Sequence, residues 1–115
     1  MKGILEEKSF LFSIRMVNLY KFLTEECKEF IMSNQVMRSG TSIGANIAEA
    51  KFAQSKADFL SKMTISLKEA SETRYWLHLL EATGYKNDCF SEIMDECDEL
   101  TNLLVATCRT SKGNQ

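Results

Sequence analysis

Residues 38–50 place their side chains in two stripes at helical spacing. The first stripe is apolar or small, recurs at intervals of four, three, four and three residues, and consists of Val36, Gly40, Ile43, Ile47 and Ala50. This spacing is typical of the core-facing side of an α-helix. A polar stripe runs beside it and consists of Ser39, Ser42, Asn46 and Glu49. The segment therefore predicts a helix that approaches its neighbours closely.

Length and composition extend this prediction to the whole chain. The chain has 115 residues, no proline, 44% hydrophobic residues and 26% charged residues. This length suits one domain with a real core, and helices can run long where proline is absent. No alternating run rich in Val, Ile and Thr suggests a strand. We expect a single all-α domain over residues 1–115, with a short N-terminal extension and frayed residues 111–115.

Hydrophobic periodicity predicts four helices. The first covers residues 9–30, with Ser9 as N-cap and an apolar face broad enough to contact two partners. The second begins at Ser33 or Asn34 and ends near residues 53–54, after an apolar, partly buried link. Short turns between such helices fit an antiparallel up-down-up-down four-helix bundle.

Cap signals delimit the other two helices. Ser55 and Asp58 match the Ser-x-x-acid pattern of a helix start, and Gly84 stands where a left-handed terminating residue is favoured after Thr83. The fourth helix is expected to follow cap candidates at residues 87–88.

The small residues Gly40, Gly44 and Ala48 are spaced by four. Together with Ile43 and Ile47 they predict close helix packing, within one bundle or between subunits. A trough for an RNA or DNA backbone is the functional alternative.

The polar stripe predicts hydrogen bonds that fix the register of the second helix, because buried polar groups need partners. A ligand site is the alternative. Arg38 and Arg74 are candidate partners for Glu49, Glu69 or Glu72.

The net charge of −2 lacks the basic excess that is usual in nucleic-acid binders. Lysines nevertheless dominate from the end of the second helix to the middle of the third. With Arg38, they are the candidate contacts for nucleic-acid phosphates: Lys51, Lys56, Lys62 and Lys68. A solvated helix face is the alternative interpretation.

Catalytic chemistry is poorly supported by the residue inventory. Di-iron bundles need Glu-x-x-His on two helices, whereas the one histidine, His78, follows Tyr75 at that spacing. The four cysteines lie in helical patterns without a paired base, which favours free, mostly buried thiols. We expect a protein that is not an enzyme, with no catalytic residue, cofactor or metal site.

The N-terminal sequence lacks the apolar region of a secretory signal, and no apolar run reaches membrane-spanning length. Cytoplasmic location without membrane association is the expectation.

Residues 38–50 resemble the four-helix bundle proteins encoded in intervening sequences of bacterial 23S rRNA genes, some of which carry a ribosomal-protein label. Similar motifs occur at residues 20–23 (Tyr-Lys-Phe-Leu), 55–60 (Ser-Lys-Ala-Asp-Phe-Leu) and 68–77. The resemblance implies an antiparallel bundle that assembles into a ring-like homopentamer, in a family without an established function. Many members carry proline where this chain has Gly44, so local helix geometry can differ here.

A related group, the accessory variability determinants of diversity-generating retroelements, is similar in forming rings whose basic surfaces bind nucleic acid and a reverse transcriptase. The mild acidity of this chain departs from that group. We therefore expect a non-enzymatic, homo-oligomeric helical scaffold that binds RNA or DNA weakly through a basic rim. A protein–protein adaptor without a nucleic-acid role is the alternative.

Overall fold

A computed structural model describes residues 3–113 of the chain. These residues form four helices and no strand: α1 (Ile4–Glu25), α2 (Met32–Ala50), α3 (Lys56–Ala82) and α4 (Phe90–Gly113). The prediction of an all-α protein is confirmed. Helices α1 and α3 each pack against both α2 and α4. Buried apolar side chains from all four helices form one core cluster.

The apolar stripe of α2 faces this core. All five of its members are buried: Val36, Gly40, Ile43, Ile47 and Ala50. One side of α2 therefore serves two neighbours, because α2 contacts both α1 and α3.

Two glycines set the distance between α1 and α2. A Cβ atom added at Gly40 would lie 2.5 Å from Met16 Sδ and closer still to Met16 Cγ. At Gly44 it would lie 3.2 Å from both the Ser9 carbonyl oxygen and Ser13 Oγ. Both glycines thus admit α1 of the same chain. Ala48, the third small residue of the series, is exposed.

Helix α1 begins earlier than its sequence predicts. Its N-cap is Gly3, and Glu6 and Glu7 lie in the first turn, where carboxylates stabilise the positive end of the helix dipole. Ser9 is buried inside the helix and its hydroxyl donates to the Glu6 carbonyl oxygen at 3.1 Å. The predicted Ser9 cap and the predicted extension before it are wrong. Residues 1–2 of that extension lie outside the described part of the chain.

The end of α1 also differs from the prediction, because the chain turns at Lys28, whose φ is +56°. The Glu29 carboxylate then accepts hydrogen bonds from the amides of Ile31, Met32 and Ser33 at 3.1, 3.0 and 2.8 Å. These bonds supply acceptors for the first amides of α2. Helix α1 ends at Glu25 rather than at the predicted residue 30. The prediction of a partly buried link holds for Met32, which packs against the core, but not for Phe30 and Ile31, which are 57% and 77% exposed.

Of the remaining helix boundaries, some agree with the prediction from sequence and others differ from it. Ser55 is the N-cap of α3 and accepts from the Asp58 amide at 3.0 Å, and Gly84 has φ +88° beyond the end of that helix. Helix α2 ends at Ala50, short of residues 53–54. Helix α4 continues through Gly113, so the expected fraying from residue 111 falls on its last turn, and residues 114–115 lie outside the described range.

We predict that Gly40→Ala destabilises the protein although alanine favours helix. The added methyl group gains ~1 kcal/mol of helix propensity, but displacing the buried Met16 costs ~1–3 kcal/mol. Urea unfolding should therefore show a loss of roughly 1 kcal/mol. In a Met16→Ala background the same substitution should cost less, and equal costs in both backgrounds would refute the Met16 contact as the cause.

Candidate interaction surfaces

Arg38 lies on the α2–α3 side of the bundle, where it is half-exposed. Its Nη1 donates to Glu69 Oε2 at 3.2 Å, and its Nη2 forms an ion pair with Glu72. The same Glu72 oxygen accepts a hydrogen bond from Trp76 Nε1 at 3.0 Å. The predicted pairing of Arg38 with Glu69 and Glu72 is confirmed.

Lys51 and Lys62 of the lysine candidates also contact carboxylates. Lys51 Nζ lies 2.9 Å from Glu6 Oε1, and Lys62 Nζ lies 3.1 Å from Glu49 Oε1. Lys56 and Lys68 are exposed on α3. The five candidate residues are therefore distributed over α2, its C-terminal end and α3, and at least three of them carry their own counterion.

The polar stripe of α2 splits into two kinds of contact. Ser39 Oγ is buried and accepts from Thr73 Oγ1 of α3 at 2.9 Å, and Glu49 reaches α3 through Lys62. Ser42 Oγ and Asn46 Nδ2 instead donate to carbonyl oxygens of α2 itself, at 2.7 and 2.8 Å. Only part of the stripe thus joins α2 to α3.

The sequence analysis did not predict one polar contact between helices, and it assigned the wrong partner in another. The Ser66 hydroxyl of α3 donates to the Ile43 carbonyl oxygen at 2.8 Å, and both groups are buried. Its signal in the sequence is its place in the buried stripe of α3, between Met63 and Ala70. Arg74 was predicted to meet a glutamate of α2 or α3 but donates to Asp98 of α4 at 2.6 Å, so that prediction is wrong.

The outer side of α1 exposes large apolar side chains. Ile4, Leu11 and Ile14 recur at heptad spacing and are 68%, 53% and 44% exposed, and the neighbouring Phe10 is 60% exposed. We call these four residues the α1 seam. The breadth of the apolar face predicts that α1 contacts two partners. Within the bundle α1 contacts two helices, α2 and α4, and these lie on the side opposite the α1 seam.

A groove of about 430 Å³ lies beside the α1 seam, between α1 and α2. Phe10 lines one side of it, and Lys51 and its partner Glu6 lie at one end. The rest of its lining is small: Ser9, Ser13, Gly44, Ala45 and Ala48. A groove with this lining can accept an apolar side chain of another molecule.

The thiols and the histidine do not form a reactive constellation. Cys97 is buried, its Sγ lies 3.7 Å from the Ala70 carbonyl oxygen, and burial raises the pKa of its thiol to about 12. The reactive thiolate is therefore suppressed near neutral pH. His78 is exposed on α3, beside Tyr75 in a shallow depression. Within residues 3–113, no three His, Cys, Asp or Glu side chains are placed to hold one metal ion.

No helix within the described residues is long and apolar enough to cross a membrane. The fold and the surface define the class of protein: an all-α protein of four helices with a partly apolar exterior.

Comparison with known proteins gives the family. A profile of the 23S rRNA-intervening sequence proteins matches residues 3–106, and the chain belongs to this family. A crystal structure of an S23 ribosomal protein family member of unknown function, from Bacteroides thetaiotaomicron, is 52% identical. The match has a TM-score of 0.89 and covers 91% of this chain and 98% of that one. No curated protein matches the chain.

We predict that Cys97 makes stability fall at alkaline pH. Its pKa is about 12 when folded and ~8.5 when unfolded, so the folded state retains the proton more strongly. The resulting stability is complete below pH ~8.5 and is lost as pH rises towards 12. Urea unfolding should lose roughly 2 kcal/mol between pH 8 and pH 10 from this group. Cys97→Ala should lose correspondingly less over that interval, and an identical loss would contradict the prediction.

Proposed function

We propose that this protein is a non-enzymatic, homo-oligomeric helical scaffold, whose bundle is antiparallel and up-down-up-down and whose copies form a five-membered ring. The observation that carries the proposal is the exposed α1 seam. The number of copies rests on the family resemblance. The absence of enzymatic activity is proposed because the described residues offer no nucleophile paired with a base.

The contacts between helices support the antiparallel arrangement. Along α1 and α2, Glu6 meets Lys51 whereas Met16 meets Gly40, so residue numbers run in opposite directions. The contacts of α2 with α3 and of α4 with its two neighbours follow the same rule, as in the pairs Arg38–Glu69, Glu49–Lys62, Arg74–Asp98, Thr64–Cys108, Lys8–Glu99 and Arg15–Glu92.

The α1 seam supports contact between copies because heptad-spaced apolar side chains pack into the surface of another helix. Its neighbour, the groove between α1 and α2, offers small residues against which large side chains can fit. A contact between two different surfaces of identical copies closes into a ring when the rotation between copies divides a full turn. This geometry is what the scaffold proposal requires.

The cytoplasmic location that we propose rests on the cysteines. Cys27, Cys89, Cys97 and Cys108 are all free thiols, which is usual in reducing compartments.

Weak binding of RNA or DNA is the second function that we propose, through Arg38 and the four lysines. Its support is the exposure of Lys56 and Lys68, and a ring would multiply a weak patch. The carboxylates at Arg38, Lys51 and Lys62 act against it, because a phosphate would have to replace them. A protein–protein adaptor is the alternative function.

The assembly can be tested by size-exclusion chromatography with light scattering at micromolar concentration. We expect the native chain at about five times its 13.1 kDa mass and Ile14→Glu at a smaller mass with unchanged helical content, because a buried charge disfavours the contact. Ala106→Glu, on the exposed face of α4, is the matched control and should assemble normally. A monomeric native chain would refute the scaffold proposal.

Nucleic-acid binding can be tested by fluorescence anisotropy with a short single-stranded RNA and a duplex DNA. We expect weak binding that falls steeply with salt and is lost when Lys51, Lys56 and Lys62 are changed to Glu. The control changes Lys21, Lys28 and Lys86 to Glu, which alters the net charge equally. Binding that is equally weakened by both sets would reject the proposed patch, and no binding at low salt would leave the adaptor function.

A further inference from the structure

The link between α1 and α2 exposes two apolar side chains on a backbone that hydrogen bonds hold in place. Phe30 and Ile31 are adjacent and are 57% and 77% exposed. The Ile31 amide donates to Glu29 Oε2 at 3.1 Å, and the Phe30 carbonyl oxygen accepts from Asn34 Nδ2 at 2.8 Å. We call Phe30 and Ile31 the link knob. Because its backbone is already fixed, the link knob loses little conformational freedom when another surface covers it.

A cavity of about 500 Å³ lies at the opposite end of α2, where the chain passes from α2 to α3. Ala50, Ala53 and Phe59 contribute apolar surface to its lining, and Lys51 and Lys56 also border it. We call this cavity the end pocket. A cavity of this volume, with apolar walls and a few charged groups, suits a large apolar side chain.

The link knob cannot fill the end pocket of its own chain. It directly precedes α2, whereas the end pocket is formed where α2 ends, and α2 has 19 residues. At 1.5 Å of rise per residue, this helix separates the two surfaces by about 27 Å. An apolar side chain that enters the end pocket in this way therefore belongs to another molecule.

The charges beside the two surfaces are opposite in sign. Three glutamates and one lysine occupy the five positions before the link knob, and two of the glutamates, Glu25 and Glu26, are exposed. The described residues that line the end pocket include Lys51 and Lys56 and no carboxylate, although Lys51 also pairs with Glu6. Acidic groups around the link knob thus match basic groups around the end pocket.

We infer that the link knob of one copy docks into the end pocket of another copy, so that copies associate end to end. Apolar side chains lie at the centre of this contact and charged side chains at its rim, which is the usual anatomy of a protein interface. Because the two surfaces are different, each copy can offer both, and the contact can repeat along a line. The contact uses no residue of the α1 seam, so it is separate from the contact that the scaffold proposal requires.

The affinity of the contact depends on how many copies dock together. Two side chains bury far less than the about 800 Å² per partner of a standard interface, so single bundles associate weakly. A ring presents several knobs and pockets at once, and simultaneous docking strengthens the association of one ring with the next. Association of this kind therefore rises steeply with protein concentration.

The experiment is sedimentation velocity of the native chain from micromolar to submillimolar concentration. We expect its mass to rise with concentration, whereas Phe30→Ser/Ile31→Ser should need a roughly tenfold higher concentration for the same rise, because it lacks the apolar centre of the contact. Ile65→Ser/Tyr75→Ser is the matched control, since it removes two exposed apolar side chains from α3, and it should associate like the native chain. Circular dichroism checks that both variants keep their helices.

The same measurement keeps this inference apart from the scaffold proposal. The mass at the lowest concentration reports the ring, and a monomer there contradicts the ring alone. The rise of mass with concentration reports the end-to-end contact. A native mass that stays constant over the whole range would overturn the inference, and so would a link variant that associates like the native chain.

Photochemical cross-linking identifies the surfaces that meet. The chain is prepared with p-benzoylphenylalanine in place of Phe30, and isotopically light and heavy copies are mixed before irradiation. We expect cross-linked peptides that join residue 30 of one copy to residues 50–59 of another and that contain both isotopes. Cross-links only within one copy, or from residue 30 to a different part of the partner copy, contradict the docking of the link knob into the end pocket.

Discussion

The close approach of α1 and α2 is the constraint on which the rest of the structure depends. Met16 occupies the space that a side chain at residue 40 would need, and the Ser9 carbonyl lies against Gly44. The same side of α2 also meets α3, through the buried polar bonds at Ser39 and at the Ile43 carbonyl. The glycines lower helix propensity, and the packing that they permit offsets this cost.

The sequence was sufficient to predict those features whose signal lies within a single helix. The stripe from Val36 to Ala50 is buried throughout, because a 3.6-residue period fixes which side of a helix is apolar. Ser55 and Gly84 were also identified correctly, since a cap and a left-handed stop depend on residues within one turn. Local chemistry thus defined the helices and most of the core.

Sequence failed where the outcome depends on a partner distant along the chain. Periodicity shows that α1 is broadly apolar, but it does not show that Phe10 and Ile14 lie on the part that the neighbouring helices leave exposed. Arg74 had several carboxylates within plausible reach, and the packing of α4 chose Asp98. The early end of α1 depends on a left-handed Lys28, a conformation that lysine rarely adopts and that no local pattern announces.

The distribution of charge determines what the basic residues and the α1 seam can each still bind. Arg38, Lys51 and Lys62 already form ion pairs with carboxylates of the same chain. A phosphate ligand would replace these carboxylates, so its binding free energy gains only the difference between the two ionic contacts. Covering Leu11 and Ile14 of the α1 seam, by contrast, removes apolar area from water. The chemistry of this surface therefore supports the proposed contact between proteins.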